Sequence, residues 1–131
     1  MEIKPVNPWT WQDNFGFSQA VEVSGHQRTL ICSGQTSVDE NASPLHEGNI
    51  EAQLLQALDN LETVLKKAGM NLGNVARINI YTTDIEGILG GFGPYEARLK
   101  AAGCKPATTL LGVAKLFLPQ LMVEIEATAV A

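Results

Sequence analysis

The hydrophobic positions change their period along the chain, and each change marks a new element. In residues 15–23, Phe17, Val21 and Val23 occupy alternate positions, which predicts a strand. A second short apolar run covers residues 29–33, after the turn-like Ser24-Gly25-His26, and we expect the two runs to pair as a hairpin. Residues 1–14 carry two prolines and two tryptophans and predict an irregular N-terminal arm. Residues 15–131 then form a single domain.

The clearest period lies between residues 50 and 68. Its apolar residues recur three or four positions apart: Ile50, Leu54, Leu58, Leu61, Leu65 and Ala68. This spacing is typical of an amphipathic helix with one buried face. Gly69 suits the left-handed position that follows a helix, so the helix is expected to end there. Its apolar face should pack against a sheet.

Strand patterns return in the second half of the chain. Residues 75–82 and 108–116 predict two strands, and alternation from 121 to 129 predicts a last one. A helical region begins at Asp84, is weakened by glycines, and resumes as a helix from Pro94 to Ala102. The order ββ(β)αβαββ favours the α+β class, with two helices covering one face of a mixed sheet. We expect oligomerisation to cover the other face.

Composition narrows the class of protein further. The net charge of −5 makes a nucleic-acid backbone an improbable partner, and no apolar run is long enough to cross a bilayer. Residues 1–5 are not followed by an apolar run, so a cytoplasmic location and reduced Cys32 and Cys104 are expected. His26 and His46 stand alone in loops, and no metal site is predicted.

Several motifs occur in an order and spacing that resemble a known family. They are Ser33-Gly34-Gln35, Gln53 with residues 57–69, residues 75–81 with Asp84, Pro94-Tyr95, Lys105-Pro106-Ala107, and residues 123–130. Over residues 15 to 130 the chain resembles the Rid/YjgF family, also called endoribonuclease L-PSP or translation-inhibitor proteins. The resemblance implies a chorismate-mutase-like fold and a homotrimer whose sheets line a barrel. It also implies small-molecule clefts between subunits, with no cofactor and no metal.

The resemblance further implies a chemistry. The best-known members hydrolyse imines and enamines, such as 2-aminoacrylate, to 2-keto acids and ammonia. An arginine holds the substrate carboxylate, and a glutamate orients the water. The glutamate is retained as Glu124, but Thr108 stands at the arginine position. A charge-assisted hydrogen bond is worth roughly 1.5–3 kcal/mol, so affinity for a carboxylate should fall about ten- to a hundredfold or more.

Other cleft positions also depart from the family's pattern. Leu110 stands where a cysteine is frequent, Phe17 where a tyrosine is found, and Phe92 where an asparagine is found. The complete set of predicted ligand contacts is Phe17, Ser33, Gly34, Gln35, Phe92, Tyr95, Thr108 and Leu110. The aromatic members could instead fill the core or an interface, and residues 33–35 could be a strand end that requires glycine. The predicted cleft prefers a less anionic and more apolar ligand.

Three functions remain open at this point. The first is hydrolysis of an imine or enamine, with Glu124 orienting the water. The second is a non-catalytic binding or protective module, because the arginine is missing. The third is RNA cleavage, which the acidic charge and the lack of a basic aromatic patch disfavour. Glu126 follows Glu124 on the same strand face and could join it in acid–base work or simply be a solvated side chain.

Overall fold

A computed structural model describes all 131 residues and has the α+β fold that the sequence predicts. The six strands are β1 (Glu2–Val6), β2 (Ala20–Ser24), β3 (Thr29–Thr36), β4 (Val75–Thr82), β5 (Ala107–Gly112) and β6 (Val123–Val130). The three α-helices are α1 (Ile50–Lys67), α2 (Ile85–Gly90) and α3 (Gly93–Ala101). Short 3-10 turns cover Trp11–Asn14 and Leu72–Asn74. None of the helices is long and apolar enough to span a membrane.

The main sheet has four strands in the order β3-β6-β4-β5. β6 pairs antiparallel with both β3 and β4, whereas β4 and β5 are parallel. Parallel neighbours need a long crossover connection, and α2 and α3 supply it here. β3 and β5 are therefore the two edges of a mixed sheet.

Helix α1 covers one face of this sheet. Its predicted apolar stripe is confirmed, because Leu54, Leu58, Leu61 and Leu65 are at most 1% exposed and belong to one core cluster. Asn49 begins the helix by accepting a hydrogen bond from the Ala52 backbone N–H at 3.1 Å. Ile88, Tyr95 and Leu99 of α2 and α3 join the same cluster. No helix covers the opposite face, which we call the open face.

The prediction of an irregular N-terminal arm is wrong for residues 2–6. These residues form β1, which pairs antiparallel with β2, Ile3 opposite Val23 and Pro5 opposite Val21. Proline lacks a backbone N–H and is tolerated in an edge strand, and both strands of a two-stranded sheet are edges. The prolines and tryptophans of residues 1–14 indicated irregular structure, so the short strand was not predicted.

The predicted hairpin between residues 15–23 and 29–33 is also wrong. β2 pairs with β1, and β3 pairs with β6 instead. Gly25 turns the chain with a φ of +68°, and the following segment then meets the C-terminus. The Gln27 and Arg28 N–H groups both donate to the Ala131 carbonyl, at 2.8 and 2.9 Å. These bonds direct β3 onto β6.

The second helical region differs from its prediction in one respect. It divides into α2 and α3 at residues 91–92, so three helices rather than two lie beside the sheet. Asp84 caps α2 by accepting from the Gly87 N–H at 3.0 Å, and Pro94 stands in the first turn of α3. β5 ends at Gly112, earlier than the predicted residue 116.

Candidate functional site

Two glutamates of β6 lie on the open face. Alternation along β6 directs Val123 and Ile125 to the core, where both are 0% exposed, and directs Glu124 and Glu126 to the opposite side. In the pairing with β4, Glu124 stands opposite Tyr81, and Glu126 opposite Asn79. These four side chains therefore share one face. We call Asn79, Tyr81, Glu124 and Glu126 the open-face cluster.

Glu124 rests against a glycine of the neighbouring strand. β3 has a bulge between Cys32 and Gln35, so that Ser33 and Gly34 together stand opposite one residue of β6. A Cβ at Gly34 would come within 2.6 Å of the Glu124 Cδ, so a larger residue would displace this carboxyl from its present position. Burial against the bulge raises the pKa of Glu124, and the Glu126 charge raises it further. A raised pKa suits a carboxyl that exchanges protons.

Glu126 is held differently from Glu124. Its Oε1 accepts hydrogen bonds from the Tyr81 hydroxyl at 2.6 Å and from the Asn79 Nδ2 at 3.1 Å. The Tyr81 bond, followed by the Asn79 bond, lowers the pKa of Glu126. The same bond to Glu126 raises the pKa of Tyr81. Two neighbouring carboxyls with pKa values shifted in opposite directions are a typical acid–base arrangement.

Thr108 and Leu110 lie on the other face of the sheet. In the β4–β5 register they stand opposite Ile78 and Ile80, which are fully buried on the covered face. Leu110 packs against the core cluster. The Thr108 hydroxyl donates to the Pro106 carbonyl of its own chain at 3.2 Å. Both side chains are only half-buried, because β5 is an edge strand.

The predicted aromatic contacts divide between an edge and the core. Phe17 is half-buried at the β5 edge, with its ring 5.8 Å from that of Trp11 in an edge-to-face arrangement. Its neighbour Ser18 donates its N–H to the Pro106 carbonyl at 3.1 Å. Tyr95 is 1% exposed inside the core, so the packing interpretation holds for it and direct ligand contact does not. The Phe92 ring lies beside Tyr95 at 4.8 Å.

A single chain does not bring the predicted contacts together. Ser33, Gly34, Gln35 and Glu124 belong to β3 and β6. Phe17, Phe92, Tyr95, Thr108 and Leu110 belong to β5, its edge or the helical layer. β4 separates β6 from β5, which places their backbones about 10 Å apart. Glu124 and Thr108 also point to opposite faces. A cleft containing both would need a second copy.

Sequence analysis missed Asn79 and Tyr81 as partners of Glu126. Alternation in residues 75–82 already places both residues on the face opposite Ile78 and Ile80. The missing information was the strand order, which puts β4 beside β6 although α2, α3 and β5 lie between them in sequence.

Comparison with known proteins agrees with the fold and with the motifs. The family model for endoribonuclease L-PSP matches residues 12–131. A RutC family protein of Aquifex aeolicus is 37% identical over 114 residues, 87% of each chain. A mouse protein named 2-iminobutanoate/2-iminopropanoate deaminase is 36% identical over 117 residues, 87% of this chain and 80% of that one.

Solved structures agree with this assignment. The crystal structure of the Rid family protein YyfB from Yersinia pestis matches all of both chains with a TM-score of 0.87 and 35% identity. The Escherichia coli YjgF structure has a TM-score of 0.71 and 28% identity and covers 87% of each chain. The family model covers most of the chain, and the relatives and structures cover the same region. The chain belongs to the Rid/YjgF family, the family of endoribonuclease L-PSP.

Proposed function

We propose that this protein hydrolyses an imine, an enamine or a related small molecule, with Glu124 orienting the attacking water. The observation that carries the proposal is the Glu124 carboxyl held against Gly34 with a raised pKa. A relative named 2-iminobutanoate/2-iminopropanoate deaminase supports the reaction class. The substrate is less anionic than an imino acid, because Thr108 stands where the resemblance implies an arginine.

The chemistry needs one group that accepts and returns a proton. Water attacks the carbon of a protonated C=N bond while the Glu124 carboxylate takes a proton from that water. The resulting carbinolamine receives this proton on nitrogen. The C–N bond then breaks as the Glu124 carboxylate takes the hydroxyl proton, which leaves a carbonyl compound and ammonia, and the proton passes to the ammonia to give ammonium. An enamine enters the same path once protonation at carbon converts it to the protonated imine.

The proposed site is completed by a second copy in a homotrimer. Glu124 and Thr108 lie on different faces within one chain, so a shared cleft requires β5 of one subunit to approach β6 of another. The open face supports such packing, because Ile31 is 82% exposed and Leu111 is 50% exposed. Light scattering tests the assembly: a trimer agrees with it, and a monomer in dilute buffer rules it out.

Enamines generated in situ test the reaction. Glu124→Gln should lower the rate by about 10²- to 10⁴-fold, which is the usual contribution of a general base. Glu86→Gln is the matched control, since Glu86 is exposed in the first turn of α2 and away from the open face. No rate above background on either neutral or anionic imines would rule out the hydrolase.

The second candidate is a non-catalytic small-molecule binding module. The observation that favours it is the Thr108 hydroxyl, which is neutral and already bonded to its own chain. A thermal-shift screen of small apolar compounds should then raise the melting temperature of the assembly without turnover. RNA cleavage, which the family name suggests, is disfavoured by the net charge of −5, and an assay on purified protein decides it.

A further inference from the structure

We infer that the open face holds a second site, between Arg77 and Glu126, which binds a small zwitterion carrying one amino group and one carboxylate. The site is a concavity of about 160 Å³ lined by Ile31, Arg77, Asn79, Glu126 and Thr128, among others. Liquid water takes roughly 30 Å³ per molecule, so the concavity has room for a molecule the size of a small amino acid. Glu124 does not line it, and the inference does not rest on hydrolase activity.

The two charges of the site are opposite in sign and unpaired with each other. Arg77 stands opposite Thr128 and Glu126 stands opposite Asn79, so the two charged residues are diagonal neighbours on adjacent strands. Such neighbours are about 7–8 Å apart, a separation that long side chains can span and that one small ligand can also bridge. Both ion pairs in the structure involve Arg98 instead.

Both charged residues that line the concavity have hydrogen-bonding capacity that their own chain does not use. Both bonds to Glu126 end on Oε1, which leaves Oε2 free to accept. Arg77 uses one N–H for the Thr109 hydroxyl at 2.9 Å and has further guanidinium donors available.

An α-amino acid matches this arrangement. Its carboxylate would accept paired hydrogen bonds from the Arg77 guanidinium, the geometry that this group favours. Its ammonium would donate to the Glu126 Oε2. A short apolar side chain would lie beside Ile31, which is 82% exposed.

Calorimetric titration of the intact protein with L-alanine tests the site. Propionate lacks the amino group of alanine, and ethylamine lacks its carboxylate, so each presents only one charged end. L-alanine should bind about tenfold more tightly than either, or better, because it alone forms charge-assisted hydrogen bonds at both ends. Equal affinity for L-alanine and propionate would overturn the inference.

Two shape-conserving variants locate the binding. Arg77→Gln and Glu126→Gln should each weaken L-alanine binding about tenfold or more, while exposed Lys66→Gln and Glu47→Gln leave it unchanged. Circular dichroism confirms that each variant is folded. Unchanged affinity for L-alanine in both variants would contradict the inference. These titrations measure binding and not turnover, so they test this site independently of the proposed hydrolase. A protein that binds L-alanine here but shows no turnover in the enamine assay would contradict the hydrolase and leave this site supported.

Discussion

The two faces of the main sheet use the same strands for different purposes. Toward α1, β4 and β6 present four side chains that are all 0% exposed: Ile78, Ile80, Val123 and Ile125. Toward the open face, the intervening positions present the hydrogen-bonded open-face cluster. Period-two alternation therefore lets one pair of strands anchor the core and carry ionisable groups. The difference separates residues that determine stability from residues that could determine chemistry.

A second contrast lies within the open face itself. Glu124 and Glu126 are the same residue type, two positions apart on one strand, yet their pKa values move in opposite directions. Glu124 is desolvated against a glycine, whereas Glu126 accepts two hydrogen bonds. The neighbours, and not the residue type, decide which carboxyl keeps its proton more readily.

The largest expected effect is on stability, and it compares an isoleucine-to-alanine substitution on each face of the sheet. Ile80→Ala removes a fully buried side chain and should lower the free energy of unfolding by about 2–5 kcal/mol. Ile31→Ala removes a side chain that is 82% exposed on the open face and should cost within about 0.5 kcal/mol in a monomer. Denaturant titration measures both changes.

The same pair of variants reports on assembly. If copies associate through the open face, Ile31→Ala becomes more destabilising as protein concentration rises, because association stabilises only the folded state. Ile80→Ala should cost the same at every concentration. Equal costs for the two substitutions in dilute protein would contradict the division of the faces.

Thr108→Arg tests whether the two separated groups of predicted contacts meet across copies. A guanidinium at this edge position restores an anion partner, so affinity for a 2-imino acid or its 2-keto product should rise about ten- to a hundredfold. Ligand titration and enamine hydrolysis measure the gain. Thr109→Arg is the matched control, because Thr109 points to the open face beside Arg77. An equal gain in both variants would mean a general charge effect.

The sequence predicted the individual helices and strands more reliably than it predicted which strands pair with each other. The period of residues 50–68 identifies α1, and alternation identifies β4 and β6, because burial of one face imposes these patterns. The pairing of β3 with β6 depends on bonds between residues 27–28 and Ala131, which are far apart in sequence. A local hydrophobic pattern does not encode contacts between residues that are far apart in sequence. The hairpin prediction was wrong for this reason.

The candidate site was predictable to a similar extent. Glu124 and Gly34 were identified from the family resemblance, and the structure places them in contact. Tyr95 was expected to line a cleft but is buried, since an aromatic residue at the start of a helix can turn inward as easily as outward. The role of Asn79 and Tyr81 required the strand order, because only the β4–β6 register brings them to Glu126.

Gly34→Ala sharpens the contrast between the two glutamates. The added Cβ would come within 2.6 Å of the Glu124 Cδ, and the flexible carboxyl should move into solvent. We expect a stability loss of about 1 kcal/mol, the low end for overpacking, since a side chain rather than backbone gives way. The pKa of Glu124 should fall toward its ordinary value as burial is relieved.

Carboxyl NMR titration measures this pKa directly. Gly90→Ala serves as the control, because a Cβ there meets nothing within 4 Å. The pKa of Glu126 should change little in either variant, since the Tyr81 and Asn79 bonds remain. If the pKa of Glu124 is unchanged in Gly34→Ala, contact with the bulge is not what raises it.

Tyr81→Phe gives the smallest expected effect and depends on pH. The Tyr81 bond lowers the pKa of Glu126, so it stabilises the folded state above the ordinary carboxyl pKa of 4.5, and this contribution disappears as pH falls through the lowered folded value. The variant should be less stable by about 0.5–1 kcal/mol at pH 7, discounted for solvent exposure. The difference should shrink as pH is lowered from 4.5 through the folded pKa of Glu126. Tyr95→Phe is the matched control, since the buried Tyr95 hydroxyl has no hydrogen-bond partner and its removal should cost nothing at either pH. Parallel stability–pH curves for the two variants would show that the Tyr81–Glu126 bond does not distinguish Glu126 from Glu124.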